Sequence, residues 1–548
     1  MKTPSPDDNP TLTNWLDRFD RWSDQIGDRL NPILIKETRQ SLKSRQFVFT
    51  FFSLLAAALA WTIVGSLSRM PQIYTTPSAP TLMLGYYALL AVPMLLVVPL
   101  AAYRSLEVEI DDGTLELLSI SVLTPWQIVL GKLSSALLQI LLYFVVLFPC
   151  MAYAYTLRGV DLMSIFLMVS TLLGSGVLLT IIAIFFAPLT HSRTGRTLTL
   201  LITVIILLAS VGGISSLMVS LILEGDPFQD GERFFLLASC VTLGPCLGHL
   251  LLTATAAQLT PASENRSSPL RRSLLAFSTA LLFVSGLAIL TLDVRTTRET
   301  TIAQDDILYT IIMSGWILWT LAGSMLAAES SQLTSRVKRA LPSSLFHRSL
   351  STWLTPGSVT GIIFVSINTI LLVVWFGFGL RWLAARNMVA DDYAIVVKRL
   401  NWTHEMSSTF AAYLLISVIL VRYLLILIRR KQNPRIETGI AALVVIVILM
   451  ALLPYSIGLH LNEFRPYAFS EWQVTNWAWT LIEIYNGNPP GSIPLIVKSV
   501  AFTSLLLLVV RNPQITRPRR TAMPERVIAE LEQNTKAENA PSISDPFA

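Results

Sequence analysis

The segment Ser105–Lys132 reads S-L-E-V-E-I-D-D-G-T-L-E-L-L-S-I-S-V-L-T-P-W-Q-I-V-L-G-K and lies between two strongly apolar runs. Five carboxylates, Glu107, Glu109, Asp111, Asp112 and Glu116, fall within ten residues of it. Each such charge would cost several kcal/mol in hydrocarbon, so the segment reads as an aqueous excursion between two membrane spans. Beyond Gly113, the residues Leu115, Leu118 and Val122 recur at steps of three and four, the spacing of one face of a short helix. Pro125 favours a new helix start, after which the apolar run resumes.

The surrounding chain supports a membrane protein. Its 548 residues are 53% hydrophobic and only 14% charged, with a mean hydropathy of +0.59; soluble domains carry nearer a quarter of charged residues. Windows of about 20 apolar residues mark spans. They fall near 47–66, 81–103, 134–156, 163–187, 197–221 and 234–257, and again near 273–293, 307–329, 358–382, 408–428, 437–457 and 493–511. The expected fold is therefore all-α and polytopic, with about twelve transmembrane helices. Basic residues gather at alternate span ends: Arg193 and Arg196; Arg266, Arg271 and Arg272; Arg336, Lys338, Arg339 and Arg348; Arg429, Arg430, Lys431 and Arg435. Arg295 with Arg298, and Arg386 with Lys398 and Arg399, break the alternation. The positive-inside rule then puts both termini in the cytosol and the acidic segment with them. The net charge of +6 reflects orientation and calls for no nucleic-acid partner.

Ahead of the first span, Leu30, Ile33, Leu34, Thr38 and Leu42 mark one helical face, opposite Lys36, Arg39, Gln40 and Lys43. Asn31 and Pro32 supply a cap and a first-turn proline. A basic amphipathic helix of this kind lies in the membrane interface. Between the later spans, 382–407 and 460–494 read as long outer loops, and the aromatic-rich 470–485 as an interfacial or re-entrant helix.

Sites for chemistry are scarce. Gly131–Lys132 has Trp126 where a phosphate-binding loop needs its first glycine and Leu133 where it needs a hydroxyl, so ATP must be handled by another protein. His404–Glu405 opens like a zinc-protease motif, but Ser408 stands at the second ligand position. Cys150, Cys240 and Cys246 lie in apolar runs with no metal or disulfide spacing. Gly174–Ser175–Gly176 suits close helix packing rather than a nucleophile turn. The reading is of a chain without catalytic residues, metal or cofactor.

The acidic segment closely resembles the loop between the second and third spans of type-2 ABC transporter permeases, which runs E-x-E-x-G-T-L-E-L-L, then T-P-x-S-P and I-V-x-G-K. Glu107, Glu109, Gly113, Thr114, Leu115, Glu116, Leu117, Leu118, Pro125, Ile128, Val129, Gly131 and Lys132 match, with Asp111–Asp112 as two extra residues ahead of Gly113 and Ser121–Val122 in place of the first Thr-Pro. The string Asn31–Gln40, N-P-I-L-I-K-E-T-R-Q, is similar to the N-P-x-x-x-K-E-x-R-Q opening of the same family. The resemblance implies an elbow helix carrying Asn31, Pro32, Lys36, Glu37 and Arg39. It also implies a coupling helix that docks on a P-loop ATPase subunit through Glu107, Glu109, Asp112, Gly113, Thr114, Leu115, Glu116 and Leu118. The expected protein is the permease subunit of an ABC exporter in the plasma (inner) membrane, with a homodimer mate or second permease as a further partner. A polar N-terminus (1–29), a permease-like region (30–262), a second six-span region (263–511) and a cytosolic tail (512–548) make up the chain. The second six spans hold no copy of the acidic motif, and no internal repeat is visible. An ATPase-independent secondary transporter and a membrane scaffold recruiting a cytosolic protein are the alternative readings.

Overall fold

In hydrocarbon a chain must satisfy its backbone polar groups within its own segments, which helices do. The computed structural model describes residues 32–71, 76–113, 124–190, 193–223, 230–261, 264–291, 298–329, 338–339, 344, 352–386, 393–428, 436–465, 467–487 and 491–511, with short pieces of 524–533. Among them, twelve helices are long and apolar enough to cross a membrane. They divide between two compact units, Met1–Pro261 and Ala262–Ala548.

In the first unit, α1 (Pro32–Leu42) precedes the first span, α2 (Arg45–Leu67). Ser44 caps α2 by accepting a hydrogen bond from the Phe47 amide at 3.1 Å. The second span is α3 (Ala79–Val92), a π-turn at Pro93–Val97, and α4 (Val98–Asp111). The spans α5 (Pro125–Thr156), α6 (Leu162–Phe186), α7 (Arg193–Leu223) and α8 (Asp230–Leu259) follow. Gly176 of α6 sits against the π-turn, where an added Cβ would lie 3.3 Å from the Met94 carbonyl oxygen. A single core holds Tyr86, Met94, Tyr103, Tyr143, Leu147 and Ile184.

The second unit runs α9 (Ser267–Thr291), α10 (Arg298–Ala327), α11 (Ser358–Arg386), α12 (Tyr393–Ile428), α13 (Ile436–Leu461), a short α14 (Trp477–Tyr485) and α15 (Ile493–Arg511). Its largest buried side chains are Trp316, Trp319 and Arg271.

Two segments depart from the sequence reading. Ser105–Asp111 is the helical end of the second span rather than part of a loop. The long outer loop expected at 382–407 is helical from Tyr393 onward, so α12 has 36 residues and spans about 54 Å, well beyond the roughly 30 Å hydrocarbon core. In the added turns Lys398 lies 4.8 Å over the ring of Trp402, one turn along, and Leu400 is buried. In 470–485 a 3₁₀ turn, Glu471–Gln473, leads into α14. Trp479 of α14 meets Tyr455, Tyr467 and Phe469 edge to face at centroid distances of 5.2 to 5.8 Å, and Tyr455 and Tyr467 lie 6.1 Å apart.

Asp161 caps α6, accepting from the Ser164 amide at 3.1 Å and from its hydroxyl at 2.5 Å. The Ser164 bonds hold its carboxyl below the usual carboxylate range. A lowered native pKa stabilises the fold above the unfolded pKa, and that contribution disappears as pH falls through the native value. Asp161→Ala should cost about 1 kcal/mol at neutral pH. The gap in thermal midpoint between the variant and the wild-type chain in detergent should close on acidification.

Candidate functional site

The acidic segment is positioned by two helix ends. Helix α4 stops where Gly113 takes φ +67°, donating to the Ile110 carbonyl at 3.3 Å. A left-handed residue after the last helical turn is the usual place for glycine. With nothing within 4 Å of an added Cβ, the need there is conformational. Helix α5 starts at a capping box: the Gln127 amide donates to Thr124 Oγ1 at 3.3 Å, and the Thr124 amide donates to Gln127 Oε1 at 2.9 Å. Pro125, the first residue of α5, has no amide to satisfy. Residues 114–123 between these ends, with Thr114, Leu115, Glu116, Leu118 and the short helix expected there, lie outside the described residues.

Lys132, two turns into α5, has a side chain only 1% exposed. Its ammonium donates to Ser105 Oγ at 2.8 Å, to Glu37 Oε1 at 3.3 Å and to the Ser105 carbonyl at 3.4 Å, and pairs with the Glu109 carboxylate, whose Oε2 lies 3.0 Å away. Ser105 passes its own hydroxyl proton toward Glu37 Oε2 at 3.3 Å. Lys36 lies 3.6 Å from Glu109 Oε1, so two ammonium groups balance two carboxylates. Ser41 of α1 meets Ser135 of α5 at 2.9 Å. The cluster thus fastens α1, α4 and α5 together.

The other side of α4 faces α7. Asp111 pairs with Arg196, and the Tyr103 hydroxyl lies 3.1 Å from Thr199 Oγ1. The periodicity explains the division: Ser105 and Glu109 are four residues apart and share one face, while Tyr103, Glu107 and Asp111 share another.

Of the residues singled out from sequence, Glu37 and Glu109 are turned into the ion cluster. Glu107 is half-buried; Lys36, Arg39, Asp112 and Gly113 are exposed. Pro32 begins α1, and Asn31 lies outside the described residues. Sequence reasoning gave Ser105 no role, took Lys132 only as part of the matched motif and took Arg196 only as a mark of orientation. The signal for Lys132 was present: a lone lysine within an apolar run needs a buried partner or a route to water. Among the described residues, no three His, Cys, Asp or Glu side chains are grouped as a metal site.

Set against protein-family models, curated proteins and solved structures, the chain matches none of them.

Removing one partner of a buried ion cluster leaves the others uncompensated, typically at about 3–5 kcal/mol. Lys132→Met should therefore lower the thermal midpoint of the detergent-solubilised protein strongly. Glu107→Lys should change stability by only about 0.5 kcal/mol.

Proposed function

We propose that this chain is the membrane-spanning permease subunit of an ABC exporter and works with a separate P-loop ATPase. The observation that carries the reading is the Lys132 cluster. An exposed acidic helix end is joined through it to the helix before the first span and to the start of the third. A soluble partner with a basic groove would meet Glu107, Asp112 and the carboxylate of Glu116. Movement of that partner would reach α1, α4, α5 and, through Asp111 and Arg196, α7 as one body. Glu109 serves a different purpose from the one its position in the motif implies: it holds Lys132 instead of reaching outward.

In this reading α1 lies in the membrane interface, both termini face the cytosol, and the chain resides in the plasma (inner) membrane.

One observation favours a secondary transporter. Lys498 of α15 donates to Glu405 Oε1 of α12 at 2.8 Å, a salt bridge between two of the candidate spans. Intramembrane carboxylates often mark coupling-ion paths. The pair lies in the second turn of both spans, and its side chains are 32% and 40% exposed, which suits an interfacial tie better than a midplane ion site.

Tagged protein from mild detergent should capture a stoichiometric P-loop ATPase, identified by mass spectrometry. Glu107→Lys with Asp112→Lys should reduce that capture at least tenfold while the protein stays monodisperse. Undiminished capture would refute docking at this end. With the native cysteines replaced by serine, a cysteine at position 112 should label from the cytosol and one at position 475 from outside. Reversed labelling would overturn the orientation.

A further inference from the structure

The two units pack their spans in the same order. In the first unit, the first span touches the second and third; the second touches the third, fourth and fifth. The third touches the fourth and sixth, and the fourth touches the fifth and sixth. Counted from Ser267, the second unit repeats these pairings one for one. Burial agrees. In the first unit the second to fourth spans have 56, 39 and 50% of their apolar windows buried, against 11, 17 and 17% for the first, fifth and sixth. In the second unit the corresponding values are 56% for each of the middle three and 44, 17 and 28% for the others. Six helices can be bundled in many orders, so hydropathy alone does not impose this one.

The junction between second and third spans corresponds too. Leu123–Thr124–Pro125 introduces α5, and Leu354–Thr355–Pro356 leads into α11. Beside the first junction sits Lys132. Beside the second sits the fully buried Arg271, which donates to Glu329 Oε2 at 2.7 Å and to the carbonyls of Trp353 and Gly357 at 2.9 Å each. The Gly357 amide donates to the same Glu329 oxygen at 2.9 Å. In each unit a buried cation ties the end of the second span to the start of the third, although the cations stand on different helices. What differs is charge. Ser105–Thr124 holds five carboxylates and no lysine or arginine, whereas residues 330–351 hold Arg336, Lys338, Arg339 and Arg348 and no acid.

We infer that the second unit is a divergent copy of the first that has kept the bundle and exchanged the docking charge, so that the chain offers an ATPase one docking end rather than two. The inference rests on the function proposed above. A groove basic enough to select the acidic end is repelled by the cationic one.

The test uses the full-length chain and the P-loop ATPase it captures, with stoichiometry read by native mass spectrometry. One ATPase per chain is expected. Arg272→Glu combined with Lys338→Glu and Arg339→Glu should leave capture within twofold of wild type. Two ATPases per wild-type chain, or loss of capture in that folded triple variant, would overturn the single docking end. Replacing residues 330–351 with a copy of 106–123 should raise the count to two, since an equivalent end would then carry the acidic segment. A count that stays at one in the monodisperse graft would overturn the equivalence of the two ends. Capture of no ATPase by any chain would refute the exporter reading and the docking count with it, an outcome distinct from capture at the wrong ratio.

Discussion

A single ammonium group organises one end of the first unit. Lys132 is almost wholly removed from solvent, and an isolated charge there would be too costly to keep. It donates to Ser105 and Glu37 and pairs with the Glu109 carboxylate, groups contributed by the end of the second span and by the helix ahead of the first. The geometry is all-or-none: each carboxylate is tolerable because the lysine is there, and the lysine because they are. Such a cluster adds little net stability compared with an apolar replacement. It does fix the relative positions of three helices, and that rigidity is what a mechanical linkage needs.

Between helices in lipid there is little hydrophobic drive, so close packing and polar contacts set the arrangement. The first unit shows both: Gly176 of α6 against the Met94 carbonyl, and polar ties at the ends, where α4 is held by Lys132 on one side and Arg196 on the other. The second unit solves the same problem with other residues, closing its junction around Arg271 and Glu329. Fold order is retained while the charges that stabilise it are redistributed.

Much of this was legible in the chain. Span positions follow from hydropathy because lipid permits few alternatives, and the start of α5 is written locally in Thr124, Pro125 and Gln127. The helical state of Ser105–Asp111 was not legible. A run of four carboxylates at a span end looks like a loop until its partners, Lys132 and Arg196, arrive from other helices. The inward turn of Glu109 escaped for the same reason. The early start of α12 was not legible either, because the burial of Leu400 in its added turns comes from tertiary packing. The likeness of the two units was hidden because lipid-facing positions accept any apolar residue, so packing order persists after sequence similarity has gone.

The central claim is that a partner at the acidic helix end is felt at α1 through Lys132. Hydrogen–deuterium exchange of the full chain with and without its ATPase tests it most directly. Partner binding should slow exchange in 105–113 and in Pro32–Leu42 together, and Lys132→Met should keep the first effect while abolishing the second. Exchange in Pro32–Leu42 that ignores the partner in the wild-type chain, while 105–113 is protected, would contradict the account.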